Sequence, residues 1–506
     1  MIDYPNHLAR YFAVAHYGDL PALQEFYRVE WHPIANIGID VVVQAIHNAT
    51  SLPTERISQA LVGTLSVLLI PAVLSLNRAL FGVWSYWPLA SALLVFNYVL
   101  LYGFTNYVGG LTLAIFLAAA WAALHGRSLA VLLLAFALSA AALFFFHLYA
   151  FAIYGLFWLC HAAWSLWMRQ GTIKPLVIRH AVAALQFVPA VLVLVLFSPT
   201  SRNIGLDHIQ PAMARDKLMG LHSVFDIGVP SVTLATFGVF GTAVLAGLAS
   251  RRLVFSPLGA VVVSALTVAF LAMPFGLLGA AFADYRLPVA ITAVAIAATR
   301  WRALPGRAAF VLSAAFTALV VVRVAVMTSE WAQSNRRYTA IMRLMSAMEP
   351  GRRLLTIIAA EDISTPFLRR PPIDHASALA VIARQSFVPT LFAEPEKQPI
   401  SFTPAVASLA QILLPIAPLY GQPDSFATSA GPPGYRLAPT AWLYRSPDPL
   451  SLSSVAYYDY VLVFARTPLR RELPAHLERI GDATVADLTL LAVRRDNVGP
   501  EGKGHR

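Results

Sequence analysis

The chain has 506 residues, of which 58% are hydrophobic and only 12% charged, with a mean hydropathy of +0.64. Soluble domains carry about twice that share of charge, so the composition excludes an ordinary soluble protein and points to a chain built into a bilayer. The net charge of +11 comes from basic residues in short loops between apolar runs, which removes nucleic-acid binding as its explanation. The single cysteine, Cys160, excludes an intrachain disulfide and a cysteine metal cluster.

Six acids crowd the start of the chain: Asp3, Asp19, Glu25, Glu30, Asp40 and Glu55; the next is Asp207. Carboxylates beside a membrane are costly unless solvated or employed, so residues 1–55 are the first place to look for chemistry. Pro5 is well placed to open a helix over residues 5–17. Such a helix puts His7 and Arg10 on one face with Asp3 just before it. Residues 34–47 are apolar, but His32, Asn36 and Asp40 recur every four residues, which predicts an amphipathic helix at the membrane surface.

Apolar runs long enough to cross roughly 30 Å of hydrocarbon follow at 57–77, 86–102, 106–124, 128–146, 148–167, 180–197, 230–249, 255–275, 285–299 and 308–327. The expected fold is therefore an α-helical polytopic membrane protein of about ten transmembrane helices, with a transmembrane domain at 56–328. Alternate loops carry Arg78, Arg127, Arg169, Lys174, Arg179, Arg251, Arg252, Arg300, Arg302 and Arg307 and no acid, while the opposite loops mix Arg202, Arg215, Lys217 and Arg286 with Asp207, Asp216, Asp226 and Asp284. The positive-inside rule places the first set in the cytoplasm. Residues 1–55, the loop 198–229 and everything after 328 are then expected outside. No signal peptide precedes the outward start, so a further span upstream of Met1 is expected.

From about residue 350 both signs of charge and prolines appear. Strands are expected at Arg353–Ala360, Tyr460–Ala465 and Thr484–Arg494, and helices at Ala376–Arg384 and Leu469–Ile480, with a Pro/Gly-rich loop near 415–450. Together these make a small α/β domain over 329–495, followed by a polar tail at 496–506.

Four constellations can carry chemistry. In the first, Asp3 can take a proton from a hydroxyl while His7 and Arg10 bind phosphate or orient the acid; a capped surface helix with a local ion pair is the plain alternative. In the second, Glu30, His32, Asn36 and Asp40 line a cleft or form the wet face of an interfacial helix. In the third, Tyr98, Tyr102, Asn106 and Tyr107 surround a turn at Gly103, with His147 at another outward turn; interfacial aromatic belts look the same. In the fourth, Arg202, Asp207, His208, Arg215, Lys217, Asp284 and Arg286 offer cations to a lipid-linked phosphate or to ordinary headgroups. No apolar run carries a charge near its middle, which argues against an ion-coupled transporter. No nucleotide loop, HExxH or GxSxG motif is present. Nothing in the ligand spacing demands a metal, although paired outward carboxylates allow a divalent cation.

The stretch DYPNHLAR (residues 3–10) resembles the Asp-x-Pro-x-His-x-x-Arg segment that follows the first span in bacterial members of the GT-C superfamily of membrane glycosyltransferases. HPIANIGIDVVV (32–43), YGFTNYVGG (102–110) and YYDYVLVFA (457–465) are similar to segments of the same group. The resemblance implies transfer of a sugar from a polyprenyl-phosphate carrier to a cell-envelope acceptor at the outer face of a bacterial inner membrane, with inversion at the anomeric centre. It implies Asp3 as general base, supported by His7 and Arg10, with Glu30 or Asp40 as a second carboxylate. His32, Asn36, Asn106, His147, His208 and Arg286 are the remaining candidates for holding substrate or its phosphate. A transporter or flippase of lipid-linked saccharide and a non-catalytic envelope-assembly protein are the competing functions.

Overall fold

A computed structural model of the chain describes residues 1–168, 172–203, 209–278, 280–302, 304–359, 375–410, 414–417, 443–445, 453–464, 473–480 and 488–494. The chain is mostly helical, with a small sheet region near its C-terminus. It divides into two compact units: residues 31–329 with 395–398, and residues 1–30 with 330–394 and 399–506.

The first of these is the membrane unit. Among the described residues, seven helices are long and apolar enough to cross a bilayer: Thr54–Phe81, Thr105–Leu124, Leu129–Phe146, Leu148–Trp167, Ile173–Phe197, Pro230–Ala249 and Gly306–Met345. The remaining three of the ten expected runs form shorter pieces. Run 86–102 breaks into Trp87–Leu94 and Tyr98–Tyr102. Asn97 causes the break, because its side chain accepts from the Leu100 N–H at 3.0 Å and donates to the Leu94 carbonyl at 2.7 Å. The other two are Pro257–Ala272 and Ala283–Ala297. Thr105–Leu124 packs against both Leu69–Phe81 and Leu148–Trp167, and Pro257–Ala272 packs against Ala283–Ala297. A two-stranded ribbon joins Leu253–Phe255 to Thr299–Trp301.

The expected amphipathic helix over 34–47 begins later, at Gly38, and runs to Thr50. Asn36 holds a left-handed φ of 85°, so His32 and Asn36 precede the helix and the four-residue stripe with Asp40 does not form. The start is pinned by Asn36 and Ile37, whose N–H groups both donate to the Phe145 carbonyl at 3.0 and 2.9 Å.

The second unit is α/β. Its six-stranded sheet runs in the order Leu443–Arg445, Leu414–Ala417, Leu354–Ala359, Tyr460–Phe464, Leu488–Val493, Leu477–Arg479. The first four strands are mutually parallel; Leu488–Val493 is antiparallel to both of its neighbours. Register is fixed by pairs such as Leu354 with Tyr460 and Leu488 with Phe464. The central strands Leu354–Ala359, Tyr460–Phe464 and Leu488–Val493 are rich in Val, Leu and Ile and mostly buried, as strands covered on both faces must be. The helix expected over 469–480 is absent where the structure describes it: residues 477–479 form the edge strand, drawn into the sheet by pairing with Leu491–Val493. Residues 469–472 and the tail at 496–506 lie outside the described residues, as does most of the loop near 415–450.

The start of the chain belongs to this unit. Ala9, Ala13, Leu23, Phe26 and Tyr27 share its core with Leu354, Ile357 and Val461. Tyr27–Val29 pairs antiparallel with Ile400–Phe402, and the Tyr27 hydroxyl donates to the Ser386 carbonyl at 2.9 Å and accepts from the Val388 N–H at 3.1 Å. The acidic segment 1–55 is thus divided at Glu30, because its first thirty residues carry apolar side chains that complete the α/β core.

Candidate functional site

In the α/β unit the polar residues gather on the helix Tyr4–Ala15, which Pro5 opens. Positions three, four and seven apart share a helix face, so Asp3, Asn6, His7 and Arg10 fall together. All four are buried, Asn6 and Arg10 completely. Asp3 sits at the helix start but makes no side-chain capping bond. Its Oδ1 lies 3.3 Å from Nε2 of His375, itself buried just before the turn Ala376–Ala378 on which the helix packs. His7 stacks with Tyr11 at 6.2 Å, and the Arg10 guanidinium lies 5.2 Å from that same ring. Phe392 stands edge-on to both imidazoles, 6.3 Å from His7 and 5.0 Å from His375.

This is not a capped surface helix, since no residue of Tyr4–Ala15 is exposed. Both amide atoms of Asn6 and Nδ1 of His375 are buried with no partner among the described residues. A buried polar group left so costs about 1–3 kcal/mol. A carboxylate, two imidazoles, an amide and a guanidinium kept on one buried face are suited to acid–base work and to holding an anion. Glu30 is apart from this group: it is exposed at the end of the strand Tyr27–Val29, where its N–H donates to the Pro399 carbonyl at 3.0 Å.

In the membrane unit Asp40 is buried in the first turn of the helix Gly38–Thr50, where the helix dipole favours a carboxylate. Asn106 braces that turn, accepting from the Ile39 N–H and donating to the Asn36 carbonyl, both at 2.9 Å. His32 is half-buried in the preceding loop. A second polar group surrounds Arg286 on the helix Ala283–Ala297. Its guanidinium lies 4.2 Å from the Phe104 ring and 5.1 Å from the Tyr149 ring, and Nη1 donates to the carbonyls of Ala281 and Phe282 at 3.2 and 3.3 Å. Its Nε is buried without a partner among the described residues. The Tyr107 hydroxyl fixes the Arg286 carbonyl at 2.6 Å. His147 stands edge-on to Tyr107 at 5.2 Å and caps the helix Leu148–Trp167 by accepting from the Tyr149 N–H at 3.1 Å. An aromatic-walled guanidinium with a free donor is equipped to hold a phosphate.

Nearby on the same helix, Asp284 is buried and pairs with Lys217 at 3.3 Å; Lys217 also donates to the Phe270 carbonyl at 2.8 Å and to that of Met273. Lys217 is therefore engaged within the protein, and Arg215 is exposed. His208 and Asp207 lie outside the described residues, as does the Arg202 side chain. Tyr98, Tyr102 and Tyr107 are buried inside the unit, so they are not a lipid-facing belt; Tyr102 stacks on Phe104 at 4.7 Å.

Sequence reasoning missed two groups. His375 follows a stretch with no local signal, and only the tertiary fold brings it to Asp3. Arg323 was passed over because it lies towards the end of the apolar run 308–327, whereas the helix continues to Met345 and puts it near the middle. Arg323 is buried and donates to the Phe225 carbonyl at 2.9 Å, to Thr236 Oγ1 at 3.1 Å and to the Phe96 carbonyl. Its position within that helix could have been found from Glu330, Gln333, Arg336 and Arg337 beyond the run, which are good helix formers. Among the described residues no group of His, Cys, Asp or Glu is arranged to hold a metal ion. Comparison of the chain with protein families, curated proteins and solved structures finds no match.

Proposed function

We propose that the chain is a membrane glycosyltransferase of the GT-C kind, acting at the outer face of a bacterial inner membrane on a polyprenyl-phosphate-linked sugar and a cell-envelope acceptor. The observation that carries this is the buried polar face of the helix Tyr4–Ala15, with Asp3 held 3.3 Å from His375. A buried acid with an imidazole at its side is the arrangement a general base needs. Asp3 takes the proton of the acceptor hydroxyl as that oxygen bonds to the anomeric carbon. The bond from that carbon to the phosphate oxygen breaks on the opposite side, the polyprenyl phosphate leaves with the electron pair, and the anomeric centre inverts. Arg286, with its unpartnered Nε between Phe104 and Tyr149, supports the reading that the membrane unit holds a lipid phosphate. Of the two candidates for a second carboxylate, Glu30 is exposed and Asp40 is buried in the first turn of Gly38–Thr50.

The test uses membranes containing the full chain, a panel of radiolabelled undecaprenyl-phosphate sugars and endogenous envelope acceptor. Asp3→Asn is expected to lower transfer about 100-fold or more while protein level and fold stay unchanged. Retained transfer in that variant removes Asp3 as the base. A second reading, a transporter of lipid-linked saccharide, draws on Arg323, since an ionisable residue buried within a membrane helix is often part of a pathway. Its bonds to two carbonyls and a hydroxyl favour a fixed structural cation instead. Vesicle uptake without formation of a new glycosidic bond would select the transporter.

A further inference from the structure

Three imidazoles and two indoles meet near the ends of three of the long apolar helices of the membrane unit. Trp121 and His125 lie at the end of Thr105–Leu124, Trp158 and His161 on Leu148–Trp167, and Arg179 and His180 near the start of Ile173–Phe197. The His161 ring stands 4.6 Å from that of His125 and 6.4 Å from that of His180, and the Trp158 ring is 6.5 Å from His180. His161, His180 and Trp158 are each more than nine-tenths buried, while His125 is exposed and opens the cluster to the surface. Nε1 of Trp158 and both ring nitrogens of His180 are buried with no hydrogen-bond partner among the described residues. An indole can only donate; a neutral imidazole carries one proton and a charged one two. Trp121 Nε1–H donates to Nδ1 of His161 at 3.4 Å, which leaves the His161 proton on Nε2. The cluster therefore holds N–H donors that the protein does not use.

Charge points the same way. The half-buried Arg179 borders His125, its guanidinium donating to the carbonyl of that residue and to that of Arg127 at 2.8 Å. No acid occurs between Glu55 and Asp207, so these three helices bring no carboxylate, and neither does Pro257–Ala272, which packs on Leu148–Trp167. Nor, among the described residues, is any group of histidines arranged to hold a metal ion. Buried donors left unmet are costly, and donors beside a cation with no acid to answer them call for an anion. We propose that this cluster binds a phosphate group, carried by the headgroup of an anionic lipid or free in solution, at the end of the membrane unit that the basic loops assign to the cytoplasm. Trp158 Nε1–H and the His180 imidazole hold its oxygens, and Arg179 supplies charge. His161 and His180 stand within about two turns of their helix ends, the depth at which basic sites between helices meet lipid phosphates. The site is separate from Asp3 and Arg286 and stands whether or not either takes part in sugar transfer.

Thermal unfolding of the full-length protein in dodecyl maltoside, a detergent without phosphate, tests this. The probes are inorganic phosphate, set against sodium chloride of equal ionic strength, and dioleoylphosphatidylglycerol, set against dioleoylglycerol, which lacks the phosphate. A ligand that binds only the folded state raises Tm, and at least one of the two phosphate probes is expected to do so by about 2 °C or more over its control. Trp158→Phe keeps a ring and loses the N–H; His180→Leu removes the imidazole. Each is expected to lose most of that shift. Neither residue spends its side-chain nitrogens within the protein, so without additive both variants should match or exceed the parent Tm. A purely structural role predicts the opposite, a lowered Tm. A shift produced by inorganic phosphate identifies the free ion as sufficient; a shift produced by the lipid alone identifies the headgroup. No shift from either probe overturns the proposal, as does an equal shift in the parent and both variants. A basal Tm that falls in both variants also overturns it, because the donors are then in use inside the protein.

Discussion

The helix Tyr4–Ala15 and the helix Leu129–Phe146 bury opposite things. The first has no exposed residue and turns Asp3, Asn6, His7 and Arg10 inward. The second buries Leu132, Phe136, Ala140 and Leu143 on one side and leaves Val131, Leu134 and Leu138 about two-thirds exposed on the other. The contrast extends to the units that contain them. Among the described large hydrophobic side chains of the α/β unit, Trp331 alone is exposed, whereas the membrane unit also exposes Leu196, Phe197, Leu234, Leu245, Leu271 and Phe310. An exposed leucine costs little in hydrocarbon, and a buried guanidinium costs a great deal anywhere unless it is bonded. Exposed apolar area in the membrane unit therefore fits a hydrocarbon surround, and the buried polar face of Tyr4–Ala15 has no such explanation.

Buried charged residues of the membrane unit, among them Asp40, Asp284, Arg286 and Arg323, cross that division, and Arg323 is the one of these four whose bonds are best defined. Replacing it by Met keeps the volume and removes every donor, leaving the Phe225 and Phe96 carbonyls and Thr236 Oγ1 without their partner. Hydrogen bonds to a charged group contribute about 1.5–3 kcal/mol each. Arg323→Met should therefore destabilise the membrane unit by about 3 kcal/mol or more, read as a lowered Tm in detergent. A Tm within a degree or two of the parent would mean that the three acceptors find other donors, and that Arg323 is retained for something other than stability.

How far these features were legible in the sequence depends on the range of the interaction that makes them. Apolar runs are local, and seven of the ten expected spans appear as full-length helices. The three that fall short do so for reasons of detail, such as Asn97 bonding both ways along the chain. Strands at 354–359, 460–464 and 488–493 were visible as β-branched and leucine-rich stretches. The edge strand Leu477–Arg479 was not, since pairing with Leu491–Val493 overrides a helical pattern. The stripe His32, Asn36, Asp40 failed because one residue, Asn36, adopts a left-handed turn. The Asp3, His7 and Arg10 face was legible from spacing, but its burial and its partner His375 were not, because both come from a chain segment hundreds of residues away.

Gly38 sharpens the comparison at the junction that carries Asp40. A Cβ built there would stand 2.6 Å from the Phe146 ring and 2.8 Å from the Phe146 backbone. The ring can turn, but the backbone is held by the bonds from Asn36 and Ile37 to the Phe145 carbonyl. Gly38→Ala should cost about 1–3 kcal/mol as overpacking, again visible as a lower Tm. If Asp40 is used in the reaction, transfer should fall by more than stability does.

Tyr27 tests whether the start of the chain is integral to the α/β unit. Burial pushes its phenol above the usual tyrosine range, so the hydroxyl stays protonated in the folded state. Because the folded pKa is raised above the unfolded value, its contribution to stability is full below about pH 10 and is lost as pH rises beyond it. Tyr27→Phe removes the bonds to Ser386 and Val388 and should cost about 1–2 kcal/mol at neutral pH. The variant should also lose less stability than the parent between pH 10 and the alkaline limit, followed by tyrosinate absorbance and circular dichroism. Equal alkaline losses in both would show that Tyr27 ionises freely, which its burial forbids.

The smallest effect is expected at Gly63, in the membrane helix Thr54–Val67. Nothing lies within 4 Å of a Cβ built at this position, so Gly63→Ala meets only the surroundings of the helix. The substitution also raises intrinsic helix propensity, and the Tm should move by an amount equivalent to no more than about 0.5 kcal/mol, in either direction. Gly38→Ala adds the same methyl group at the start of another helix, where the backbone of a neighbour is already in contact. A large loss at both sites would place an unrecorded partner against Gly63, such as a second copy of the chain, and the oligomeric state in detergent would then be the quantity to measure. A large loss at Gly38 alone ties the cost to one close approach, the one that sets where the helix bearing Asp40 begins.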